Sequence, residues 1–238
     1  MTEWMRGRFW QETAVAADAE GYGVTLDGKP IRTPGRLPLR LPTRALATAV
    51  AAEWEAQGER IEPASMPFTR LSNSAIERVA PQHSAVAEIV AAYGETDLLC
   101  YRAEGPAALV RRQARAWDPL LRWAEQAHGA RLVPVAGVMF QEQPAGALAC
   151  LRAAVAACDP FALTALHELV TLSGSLVIGL AVVERVAPAD ALWAASRVDE
   201  TWQAEEWGED AEAAAAAARK AEAFADAAIF HEMACGAE

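Results

Sequence analysis

Four histidines and a scatter of carboxylates are what this chain offers for chemistry. Glu125 and His128 form one E-x-x-H, a spacing that puts both side chains on a single helical face as a metal-ligand pair would need. A di-metal bundle uses two such pairs plus two further carboxylates, and no second copy occurs. Glu95 and Asp97 could act as paired carboxylates in acid–base work; a capped loop, or ion pairing with Arg70 or Arg102, is the plainer reading. His83, His128, His167 and His231 are dispersed, and none stands in H-E-x-x-H. Ser173 and Ser175 flank a glycine instead of lying between two, so there is no nucleophile elbow. A P-loop is missing, and Gly21 and Gly23 do not extend to a dinucleotide fingerprint. Cys100, Cys150, Cys158 and Cys235 lack metal or disulfide spacing and suit a reducing cytosol. Cys100 reads as a small buried hydrophobe. The expectation is a protein with no catalytic residues, no cofactor and no metal.

A different chemistry, that of recognition, is concentrated in Ser196–Asp210, SRVDETWQAEEWGED. From Asp199 onward there are 11 acidic residues against two basic ones, whereas the preceding positions are nearly balanced at 21 against 19. Trp202 and Trp207 lie inside that acid cluster, although aromatic rings and charge usually segregate on a helix. Indoles bordered by carboxylates suit a surface that grips another protein. A net charge of −11 and a pI near 4.9 exclude a basic footprint for nucleic acid and disfavour anionic membranes. They suit a partner presenting Arg and Lys. The longest charge-free apolar run, Leu169–Val183, is too short to span a bilayer. The amino terminus, MTEWMRGRFWQE, lacks the apolar stretch of a signal peptide, which points to the cytoplasm.

The elements that would hold these residues change character along the chain. Residues 8–33 read as β, with Asp27-Gly28 favouring a type I′ hairpin and Pro30 marking an edge strand. Thr43 should cap a helix whose stripe is Leu46, Val50 and Trp54, with Gly58 just past its end. Helices follow from Pro67 to about Val79 and from Pro81 to Tyr93, while Glu95–Arg102 is ambiguous. Gly105-Pro106 looks like a boundary. Beyond it, Val110, Ala114, Trp117, Leu121 and Ala124 make one helical face ending at Gly129, with a kink or a fresh start at Asp118-Pro119. Leu132–Phe140 is a strand candidate, and helices are expected at about 144–157, 160–173, 175–185 and from 188 onward. In that last helix, Ala191, Ala195, Val198 and Trp202 continue in register into Glu205 and Glu209, so an apolar seam turns acidic. These carboxylates should be exposed or paired with Arg. Trp207 lies about 140° round from Trp202 and should face a different neighbour. Gly208 marks a bend, and the alanine-rich Ala211–Ala228 could dock or project. The fold class is α+β: an N-terminal α+β domain at 1–102 and a helical domain at 103–238.

Several segments together resemble the assembly chaperones of the F-type ATP synthase head. They are RFW at 8–10, LDGKPIRTP at 26–34, ALATAVAAEWEAQ at 45–57, PFTRLSNSAI at 67–76, ETDLLCYR at 95–102, WDPLLRW at 117–123 and SRVDETWQAEEWGED at 196–210. The resemblance implies a small α+β domain followed by an orthogonal helical bundle, no enzymatic activity, and a bacterial cytoplasmic member. Its client would be the unassembled F1 alpha subunit, held until beta replaces the chaperone. The family's acidic-aromatic motif falls on Trp202, Gln203, Glu205, Trp207 and Gly208, with Glu205 as the favoured polar determinant and Glu209 beside it. Trp54 also matches a family position, where packing is expected. The free protein is expected to be a monomer. The alternative is an acidic helical adaptor with some other basic protein partner.

Overall fold

The structure is a computed structural model that describes residues 7–19 and 21–235. The first six residues of the amino-terminal segment and Glu238 of the acidic tail lie outside the described residues. Contacts group the described residues into two compact units. Of the described residues, the first comprises 7–19, 21–83, 159–165 and 229–235, and the second Ser84–Cys158 and Leu166–Ala228. A single cut after residue 102 was expected. Instead 84–102 goes with the helical unit, and two later segments return to the first, which local patterning could not show.

In the first unit, β1 (Thr13–Asp18), β2 (Gly21–Leu26) and β3 (Lys29–Pro30) form an antiparallel sheet in that order. The β2–β3 turn has positive φ at both Asp27 (48°) and Gly28 (75°), as a type I′ turn requires. Asp27 also receives the backbone N–H groups of Gln11 and Glu12 (3.0 and 2.9 Å), which hold its carboxyl below the usual range. Pro30 sits on the outer strand, where its missing donor costs the ladder nothing. Helix α1 (Arg44–Glu55) is capped by Thr43 Oγ, which accepts from Leu46 N at 3.2 Å. Its Leu46 and Val50 are fully buried, and Trp54 packs half-buried beside them. The helix stops at Ala56, not Gly58, because the buried Gln57 amide takes over: its Oε1 accepts from Glu62 N and its Nε2 donates to Glu53 O.

Helix α2 (Pro67–Ser74) opens on Met66, which has no capping side chain. Glu53 of α1 supplies the acceptors, taking the N–H groups of Phe68 and Thr69 and the Thr69 hydroxyl at 2.6–2.7 Å. The helix then widens into a π turn over Ala75–Val79, whose Glu77 accepts from the N–H of Gly35. The core gathers Val24, Leu39, Leu41, Leu46 and Val50 with Ala165, Phe230 and Ala234 from the late segments.

The second unit is helical. Helix α3 is His83–Ala91, and α4 (Ala107–His128) runs unbroken through Pro119 to a left-handed Gly129 (φ 70°). The fresh start expected at Asp118 is therefore corrected: Asp118 does not cap a new helix, and its carboxylate pairs with Arg102 at 2.9 Å. Tyr101–Arg102 (β4) pairs in parallel with Val135–Ala136 (β5), so only two residues of the expected 132–140 strand are extended in a ladder. Then come α5 (Ala145–Ala156), α6 (Pro160–Ser173), α7 (Leu176–Val183), α8 (Ala189–Ser196), α9 (Val198–Trp207) and α10 (Ala211–Cys235). Within this unit α4 packs on α5, α7 and α9. Asp159 caps α6 through Phe161 N and Ala162 N, as its Asp-Pro pair predicts. Among the described residues no helix is long and apolar enough to cross a membrane.

Candidate functional site

The expected continuous helix from 188 is in fact three helices. Arg197 (φ −112°, ψ 17°) interrupts the first junction, so the Ala191–Ala195–Val198 stripe is not one seam. Ala191 is exposed, whereas Leu192, Ser196 and Val198 are buried. Gly208 makes the second break with φ 93° and ψ 157°, a conformation essentially reserved for glycine. Its N–H still donates to Ala204 O at 3.0 Å, and Asp210 then restarts the chain by accepting from Ala213 N at 2.7 Å. Helix α10 is docked and does not project: in the second unit Phe224 and Ala227 are buried, with Phe224 5.2 Å from the Trp193 ring.

Helices α8 and α9 are seated on α4 by polar rungs. Gln113, 1% exposed, donates from Nε2 to Asp199 Oδ1 (2.7 Å) while its Oε1 accepts from Ala103 N (2.8 Å). Trp117, fully buried, donates its indole N–H to Ala195 O at 2.7 Å, satisfying the one polar atom such a ring must place. Arg112 clasps Glu205 with both terminal nitrogens, which lowers the Glu205 pKa and raises that of Arg112.

The remaining motif residues point outward from that seat. Trp202 is half-buried, while Gln203, Glu206, Trp207, Gly208, Glu209 and Asp210 are exposed. Trp207 is 79% exposed, a large indole with carboxylates on both sides of it in sequence. The six expected contact residues thus share one helix and its terminal turn, with Trp202 turned partly inward and Glu205 held by Arg112. Sequence reasoning missed Arg112 and Gln113 as the partners of this motif; α4 carries Arg111, Arg115, Asp118, Arg122 and Glu125 as well, so nothing in the sequence singles these two out.

The other chemical candidates resolve into structure. Glu95 is exposed, whereas Asp97 is sealed at 0% exposure. Asp97 Oδ1 accepts from Leu99 N (3.0 Å) and Ser175 Oγ (2.8 Å), and Oδ2 accepts from Val177 N (3.0 Å). Burial pushes its pKa up, and these hydrogen bonds pull it part of the way back. It is the capped-loop reading that holds, with α7 as the second element capped. Burial likewise pushes the Cys100 thiol up to about 12. Glu125 leans toward Arg131 (3.7 Å), and His128 toward Glu184 (2.9 Å) and the Trp123 ring. Among the described residues no group of three His, Cys, Asp or Glu side chains could hold a metal ion.

Comparison with known proteins places the chain in a family. The family described as ATP12 chaperone protein matches residues 7–125. The crystal structure of Atp12 from Paracoccus denitrificans is similar at 51% identity and a TM-score of 0.94, over 98% of this chain and 100% of that one. A form of the Paracoccus protein carrying an aspartate-to-lysine substitution matches to the same extent. An Agrobacterium tumefaciens protein assigned as a candidate chaperone is 42% identical with a TM-score of 0.92, over 96% of this chain and 86% of that one. With a profile over its first half and likenesses over nearly its whole length, the chain belongs to the ATP12 chaperone family, the chaperones of ATP synthase assembly.

Proposed function

We propose that this chaperone binds the unassembled alpha subunit of the F1 head and keeps it from aggregating until beta takes its place. The observation that carries this is the exposure of Trp207 among Glu205, Glu206, Glu209 and Asp210 at the end of α9. An unassembled subunit exposes the apolar interface it will later bury. A partner that must also leave is better served by a mixed acidic and aromatic face than by a wholly apolar one. Trp202, Gln203, Glu205, Trp207, Gly208 and Glu209 are the proposed contact, with Glu205 meeting a basic side chain of the client. The protein works by binding alone, without turnover or cofactor, as a monomer when free and in the bacterial cytoplasm.

The test is refolding of isolated alpha subunit in the presence of this protein and in the absence of nucleotide hydrolysis. Soluble alpha subunit that co-elutes with the chaperone is the expected result. Aggregation at the uncatalysed rate overturns the reading, and co-purification from cells with a different basic protein favours the adaptor alternative.

A further inference from the structure

The loop between β5 and α5 has a polar, buried neck and an apolar, exposed tip. At the neck Gln143 is 4% exposed, and its amide makes both bonds to one residue: Oε1 accepts from Val133 N (2.8 Å) and Nε2 donates to Val133 O (3.0 Å). That reciprocal pair is what a strand residue exchanges with its opposite number in an antiparallel ladder. Here a side chain does it, so the ends of the 133–143 segment are pinned together. The N–H of Gly137 is fixed as well, donating to Arg102 O at 2.8 Å. On this braced base Val138, Met139 and Phe140 are 91%, 78% and 65% exposed. Single exposed apolar residues are ordinary, but three in a row on a fixed loop leave a patch in water that only a partner would cover. Bracing also lowers the ordering cost that binding would otherwise carry.

We propose that Val138–Met139–Phe140 is an apolar plug that enters a hydrophobic cleft with a basic rim on an unassembled ATP synthase subunit. The three side chains, with a thioether that adapts to irregular pockets, set the apolar part of the partner. The charges beside them set its rim. Glu142 is exposed next to the tip, and a Cβ on Gly137 would lie 3.5 Å from Glu104 Oε1, whose side chain is also exposed. Of the cations near the base, Arg102 is committed to Leu99 O (2.7 Å) and Asp118, and Arg131, two residues before Val133, faces Glu125 at 3.7 Å. Carboxylates around the plug and a net charge of −11 oppose an anionic bilayer, and they oppose a second copy of the same acidic loop. A basic-rimmed protein cleft is the occupant that both features fit. The plug rests on membership of an assembly-chaperone family, not on the α9 cluster.

Photo-crosslinking in the full chain tests it, with p-benzoylphenylalanine at position 139 in one variant and at position 207 in another. Each is irradiated alone, with isolated alpha subunit, with isolated beta subunit, and with phosphatidylcholine–phosphatidylglycerol vesicles. A subunit crosslink from position 139 is expected. The Met139→Ser/Phe140→Ser variant, unchanged in Tm because both side chains are exposed, should then bind that subunit about tenfold more weakly or worse. A crosslink only to a second copy, sedimentation with vesicles, or unchanged affinity of the double variant overturns the plug. Capture from 139 but not from 207 removes the α9 contact alone, and the reverse pattern removes the plug alone.

Discussion

Arg112 holds Glu205 through two parallel contacts, Nη1 to Oε2 at 2.5 Å and Nη2 to Oε1 at 2.9 Å. The carboxylate proposed to meet a basic client therefore already has a guanidinium from its own chain, and a client arginine must displace it. Arg112→Ala should tighten alpha-subunit binding several-fold, most at low salt, whereas Glu205→Lys should weaken it with the fold intact. Titration calorimetry at two ionic strengths checks both; equal affinity for all three proteins would remove Glu205 from the interface. The pH dependence has a fixed sign. Because the Glu205 pKa lies below 4.5, the clasp is complete above that value and is lost as pH falls through the lowered one. The difference between wild type and Arg112→Ala should close in that acid range.

Two tryptophans give opposite outcomes. Trp117 is fully buried, bonded to Ala195 O and covered by the Arg102 guanidinium 5.1 Å from its ring. Trp117→Ala should cost about 3–5 kcal/mol in chemical denaturation. Trp207→Ala should shift stability by no more than about 0.5 kcal/mol and yet abolish protection of alpha subunit from aggregation. Protection that survives this change would dismiss the indole as a contact.

Asp97 makes stability depend on pH in an unusual direction for a carboxylate. Its folded pKa is raised above 3.8, chiefly by burial, so the native chain takes up its proton more readily than the unfolded chain does. The contribution of this group is complete below 3.8 and declines as pH rises through the raised value. Asp97→Asn should flatten that decline in urea midpoints recorded from about pH 4 to 8. It should also lower stability throughout, since an amide nitrogen cannot accept from Val177 N as Oδ2 does. A variant profile parallel to wild type would assign the slope elsewhere.

Gly179 lets α7 lie against α6. A Cβ there would sit 2.5 Å from Val170 Cγ2 and 3.0 Å from Leu166 Cδ1, both on fully buried residues. Gly179→Ala should destabilise by about 1–3 kcal/mol. Val170→Ala on that background should recover part of the loss, which a double-mutant cycle reads as coupling. Strictly additive effects would mean the clash is relieved by some other movement.

What the sequence made legible follows the range of the forces involved. Thr43, Asp27-Gly28, Asp159-Pro160 and Gly129 act within a few residues of themselves, and each cap or turn they predict is present. The α+β order, hairpin first and helices after, follows from those signals. Contacts across long separations were not legible. Nothing near Arg112 announces Glu205, 93 residues on, and nothing near Asp97 announces Ser175 and Val177. The stripe from Ala191 to Glu209 misled because helical periodicity counts residues and is blind to a break at a single Arg197. Pro119 misled in the opposite way: its cost was overridden by the burial of Trp117, Leu120 and Leu121 on either side. Leu132–Phe140 looked like a strand from composition, and the exposure of its last three residues could not be read from it.

Phe230 stacks 6.1 Å from Phe161 and shares a core with Val24, Leu41 and Leu46, while Thr43 Oγ donates to Met233 O near the end of α10. The ribosome delivers these partners in the reverse of the order the core would want. Helix α1 can close over β1 and β2 as soon as it is made, but the place that Phe230 and Ala234 fill in that core stays open until the last turns of α10 have been translated. Throughout that interval this assembly chaperone is itself a molecule in want of a guardian.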